Sequence, residues 1–127
     1  MTMYWREQSG REYLHCRLQN TSGRTLEVDS SGVLWATPGL FDFTAISAEG
    51  KILYKSVILQ SLQAEPQPVA IAPGQAIEGD IDLKYIPVPT TARSQDLLLM
   101  WKHGVHIVHG AASGAVSGVT YLPKRGR

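Results

Sequence analysis

At 127 residues the chain has the size of one domain, long enough to bury a core without disulfides or a structural metal. Its apolar fraction of 43% and charged fraction of 18% exclude a disordered chain, and its net charge of +1 argues against a dedicated nucleic-acid binder. The longest apolar runs are only a few residues, well short of the roughly 18 that a membrane-spanning helix needs, so no membrane insertion is expected.

The first ten residues carry charges where a signal peptide needs an apolar run. As written the chain reads as cytoplasmic; a leader removed ahead of Met1 would make it periplasmic or secreted. The dominant period from there on is two, the spacing of one face of a strand. Leu14, Cys16 and Leu18 face one way, and Tyr13, His15 and Arg17 the other. Cys16 is the single cysteine, so the fold does not depend on an oxidising compartment. Its place in the apolar row predicts a buried thiol, not a nucleophile.

Asn20-Thr21-Ser22-Gly23 reads as a turn, and Leu26 and Val28 begin a second alternation. Val33-Leu34-Trp35 is apolar and is broken by Pro38-Gly39. Phe41, Phe43 and Ala45 share one face of a hairpin whose tip, Ala48-Glu49-Gly50-Lys51, places a glycine where a positive φ is expected. Ile52 to Ile58 returns, and residues 59–68 connect. Pro73-Gly74 predicts a type II turn, with Pro presetting φ at the first corner and Gly accepting positive φ at the second. Ile77, Gly79, Ile81, Leu83 and Tyr85 then alternate with Ala76, Glu78, Asp80, Asp82 and Lys84, which predicts one dry and one wet face. Thr90 to Asp96 reads as a polar loop. Leu97 to Trp101 is apolar on both faces and reads as a central strand. Residues 110–118, rich in Gly, Ala and Ser, read as a flexible loop. Val119 to Leu122 reads as a last strand, followed by a basic tail over 123–127. Lys124, Arg125 and Arg127 carry the positive balance; the remaining nine basic and eleven acidic residues net −2.

Short strands with turn signals roughly every 8–12 residues predict a single all-β domain over residues 1–127. The expected form is an immunoglobulin-like two-sheet antiparallel sandwich of about seven to nine strands. The stretch from Leu18 to Leu83 resembles the bacterial intracellular proteinase-inhibitor family. The matching residues are Asn20-Thr21-Ser22-Gly23, Phe41-Asp42-Phe43, Glu49-Gly50-Lys51, Tyr54-Lys55-Ser56 and Pro73-Gly74-Gln75. It also looks like the immunoglobulin-like domains that precede catalytic domains in some secreted metalloproteases. Both resemblances imply a sandwich, and the first implies binding to a protease.

His103, His106 and His109 are the most prominent cluster with metal-ligand chemistry. On a strand the first and third face one side and the second the other. Convergence needs a bulge at Gly104 or a contribution from His15. Surface or edge histidines are the expected reading, with no metal and no cofactor. Glu78, Asp80 and Asp82 alternate with core positions and read as a solvated face.

No catalytic signature emerges, and the expected function is a non-enzymatic protein-binding module, with a protease inhibitor as its sharpest form. The expected contact loops are 35–41 and 86–96, with Trp35, Pro38, Leu40, Pro87 and Pro89 as the partner-binding residues; proline lowers the ordering cost of such loops. The partner is expected to be another protein or a second copy of the chain. Two alternatives stay open: a self-assembling subunit that exchanges its last strand across 110–118, and a metal-binding protein or enzyme built on His103, His106 and His109.

Overall fold

A computed structural model describes residues 1–29, 42–56, 67–86, 88–105, 107–108 and 114–125. In chain order these form β1 (Thr2–Gln8), β2 (Arg11–Gln19), β3 (Leu26–Asp29), β4 (Asp42–Ser47), β5 (Ile52–Lys55), β6 (Pro68–Ile71), β7 (Ala76–Asp82), β8 (Leu97–Val105), β9 (Ile107–Val108) and β10 (Gly114–Leu122). The strand order is β1-β2-β7 in one sheet, β10-β8-β4-β5 in a second and β6-β3-β9 in a small third. Every pairing is antiparallel. The fold is the all-β sandwich that the period-two pattern predicts. Among the described residues no helix is long and apolar enough to cross a membrane.

The first two sheets bury their inner faces in one core. Met3, Leu14, Cys16 and Ile81 come from the first; Phe43, Ala45, Leu97, Leu99, Trp101 and Leu122 come from the second. Each large apolar side chain buried here contributes about 1.5–3 kcal/mol. A satellite cluster of Val28 and Ile71 sits under the third sheet, with Leu18, Val69, Ile77 and Val116 against it.

The turns follow their residues. Gly74 has φ 80° and Gly50 φ 85°, as the sequence predicts at both corners. The β1–β2 hairpin was not legible: Met3 and Trp5 are too few apolar positions to mark a strand. It closes through Ser9 (φ 54°) and Gly10 (φ 76°), the doubly positive pattern of a tight two-residue turn. Two motifs distant in sequence meet at one corner. Asn20 is buried, donates through Nδ2 to the carbonyls of Arg24 (2.8 Å) and Ile71 (2.7 Å), and accepts at Oδ1 from the Ser22 amide (2.9 Å). Its own amide donates to Gln75 O and its carbonyl accepts from Gly74 N, tying this turn to the Pro73-Gly74 turn.

Several expectations need correction. The alternation after Ala76 stops at Asp82, because Asp82 Oδ1 accepts from Lys84 N (2.9 Å) and starts a 3-10 turn over Leu83–Tyr85. Tyr85 therefore swings out to solvent, while Leu83 stays in the core. Residues 90–96 are not simply a polar loop: Thr90–Ser94 is a 3-10 turn that buries Ala92 and Arg93. The flexible loop expected over 110–118 is replaced from Gly114 onward by β10, which pairs with β8 along its whole length. The physical reason is visible at Gly118, opposite Trp101. A Cβ there would lie 2.4 Å from the ring atom Cζ2, so the missing side chain makes room for the indole. Residues 110–113 lie outside the described residues. Nor is the tail free: Lys124 N donates to Asp96 Oδ1 (2.7 Å), and Arg125 N to Arg93 O (2.9 Å).

Candidate functional site

Among the described residues, the outer face of the β10-β8-β4-β5 sheet stands out as apolar. Register places Tyr121, Leu98, Ile46 and Ile52 in one row across the four strands. The next row is Val119, Met100, Thr44 and Lys55, and beyond it lie Ser117, Lys102 and Asp42. Leu98, Met100, Val119, Tyr121 and Ile52 are between 45% and 60% exposed. Apolar side chains scattered singly on a surface are ordinary, but here they are neighbours in consecutive rows. A shallow depression of about 370 Å³ opens beside them, between Met100, Thr44 and Val119. Beneath it Trp101 Nε1 donates to Thr120 Oγ1 (3.1 Å), which donates on to Met3 O (2.8 Å). That relay joins the two sheets and fixes the floor.

β8 lies inside its sheet, between β10 and β4, as its apolar run predicts. Only one of its faces is covered: Leu97, Leu99 and Trp101 are buried, whereas Leu98 and Met100 meet solvent. The alternation alone does not distinguish an apolar face under protein from one facing water.

A second concavity, of about 630 Å³, opens at one end of the sandwich beside Trp5, Glu12, Leu83, Ile86, Lys84 and Arg125. Glu12 is 11% exposed and collects three donors. Trp5 Nε1 donates to Oε2 (2.8 Å), Arg125 Nε to Oε1 (2.9 Å), and Arg93 Nη2 to Oε2. Burial pushes its pKa up, but the bonds from Trp5 and Arg125 and the charges of Arg93 and Arg125 outweigh that, and the net shift is downward. A carboxylate held ionised in this way is a poor proton acceptor at neutral pH. Arg93 is only 4% exposed, and its Nε and Nη1 have no partner among the described residues. The cluster, buried at Glu12 and Arg93 and exposed at Arg125, works as a lock that clamps residue 125 onto β2.

Trp35, Pro38, Leu40 and Pro87 lie outside the described residues, as do His106 and His109. Pro89 is exposed and precedes the Thr90 turn with φ −53°. His103 is buried, with its row facing the core. His15 does not join it. It sits on the outer face of the first sheet, its Nδ1 2.8 Å from Asp80 Oδ1 and its ring 5.0 Å from that of Tyr4. Among the described residues no group of three or more His, Cys, Asp or Glu is placed to hold a metal ion. Cys16 is buried as predicted, and burial, with the nearby charge of Asp80, pushes its thiol up to about 12. The acidic row of β7 is more than a solvated face: Asp80 pairs with Arg6 (2.6 Å), and Glu78 with Arg17 (3.5 Å).

Neither the apolar face nor the Glu12 lock was found from the sequence. The face left a signal, since Leu97 to Trp101 is apolar at both parities and Val119 and Tyr121 share one parity. The lock left none, because its members are separated by up to 113 positions.

No protein-family model matches this chain, and no curated protein matches it. It is similar to a solved structure of a protein from Archaeoglobus fulgidus over 98% of this chain and 94% of that one, at 10% identity and a TM-score of 0.37, too distant a likeness to bear on function.

Proposed function

We propose that this chain is a non-enzymatic protein-binding module whose contact surface is the outer face of the β10-β8-β4-β5 sheet. The observation that carries the reading is a group of five large apolar side chains there, about half exposed and set in two consecutive rows. Contiguous apolar surface on a folded domain marks a place where a partner removes it from water. Two groups with reactive potential among the described residues support the non-enzymatic part. The Cys16 thiol is buried and its pKa is raised to about 12, and Glu12 is spent on internal partners. The sharpest form of this reading is a protease inhibitor, which rests on the sequence resemblance.

The test is capture from source-cell extract by the chain and by a Met100→Glu/Val119→Glu variant, with bound proteins identified by mass spectrometry. The reading expects discrete partners on the first and their loss on the second, with thermal melting showing both folded. An enriched protease among them would support the inhibitor form. Identical captures on both would remove this face as the contact surface.

A further inference from the structure

We infer that the partner seated on the apolar face is a second copy of this chain, stacked sheet on sheet about a two-fold axis. The axis runs along the strands between β8 and β4. The inference rests on the protein-binding reading above and goes further by naming the occupant. It is carried by the self-complementarity of the face.

A two-fold axis between β8 and β4 lays β8 of one copy over β4 of the other, and β10 over β5. In the first row Leu98 then meets Ile46, and Tyr121 meets Ile52, apolar on apolar across the whole width. In the second row Met100 meets Thr44, and Val119 meets the aliphatic stem of Lys55. In the third row Lys102 of each copy meets Asp42 of the other, because the two are register partners on either side of the axis. Neither Lys102 nor Asp42 makes a salt bridge among the described residues. The dimer therefore supplies two symmetry-related ion pairs to charges that make no salt bridge among the described residues. A face shaped for an unrelated protein has no reason to match itself across one line in all three rows. Packed sheets keep their mean strand directions within about 30° of each other, so the rows stay matched near the axis, and the length of Lys102 takes up any divergence at the rim.

The size of the face sets the expected strength. Four strands at about 4.8 Å spacing and about six residues of length span a flat footprint of roughly 400 Å². That is about half of the 800 Å² that each partner contributes to a standard interface. A reversible dimer in the micromolar range is expected, not an obligate one.

Sedimentation velocity of the full chain from about 1 to about 300 µM tests this, with Asp42→Lys and Lys102→Asp variants run alone and mixed. The unsubstituted chain is expected to dimerise with rising concentration. Each variant alone opposes like charges twice and should dimerise at least about tenfold more weakly. Their equimolar mixture sets a doubly cationic row against a doubly anionic one and should recover full association. The recovery also shows that both variants fold. A dimer indifferent to both reversals would place the contact elsewhere and overturn the inference. A strict monomer at all concentrations would overturn it as well. The broader reading would then still be decided by the capture experiment, which does not depend on self-association.

Discussion

The two outer faces of this sandwich solve the same problem in opposite ways. Both belong to antiparallel sheets whose other side is buried, so both are free to be polar. The β1-β2-β7 face is. Arg6, His15 and Arg17 reach across strands to Asp80 and Glu78, with Tyr4 packed on His15 and Arg6 over the Tyr13 ring. The β10-β8-β4-β5 face carries Leu98, Met100, Val119, Tyr121 and Ile52 in the corresponding positions. Nothing in strand geometry demands the second choice. Sheet stability comes mainly from the inner face and the ladder, so the outer face can be polar or apolar without changing the fold. The comparison separates what a face does for folding from what it does for association.

The largest effects should lie beneath the faces. Glu12→Ala leaves Arg93 buried and unpaired and unclamps Arg125, at a cost of about 3–5 kcal/mol read by urea unfolding. The same group sets a pH limit. Its pKa is lowered in the folded chain, so its contribution is complete above the unfolded value near pH 4.5 and is lost as pH falls through the lower folded value. Unfolding at pH 3 against pH 6 should show this loss in the unsubstituted chain and far less of it in Glu12→Gln.

Under the apolar face, Gly118→Ala drives a methyl into the Trp101 ring and should cost about 1–3 kcal/mol, with a change in the indole fluorescence. An unchanged melting curve would mean that the ring is not seated on that glycine. On the charged face, Asp80→Asn removes the ion pair to Arg6 and weakens the hydrogen bond to His15, and should cost about 1 kcal/mol at low salt, less in 1 M salt. The smallest effect is the one that sharpens the contrast most. Met100→Glu on the apolar face should change stability by no more than about 0.5 kcal/mol while weakening association. If it unfolds the chain instead, that face is part of the fold and not a surface for partners.

Much of the backbone was legible because its signals are local. Pro73-Gly74 and Gly50 announce their corners through φ, and the alternation of Leu14, Cys16, Ile81 and Phe43 announces the core. Even the Asn20 turn was visible as a turn, although its bond to Ile71 O was not. The errors came where local composition misleads. Gly, Ala and Ser over 114–118 suggest looseness, yet Gly118 is small because an indole lies over it. Arg93 in a polar stretch suggests a loop in water, yet it is buried against Glu12.

By itself the sequence determined the class of fold, the corners at Gly50 and Pro73-Gly74 and the inward direction of β2 and of β7, since these depend on neighbours within a few residues. It did not determine which outer face would be left apolar in water, nor that residues 12, 93 and 125 would share one carboxylate. Those follow from which strands lie side by side and which chain end closes over which rim. The pairing of β8 with β10 and β4, and of β2 with β1 and β7, is a choice among distant segments that only packing of the whole core can make.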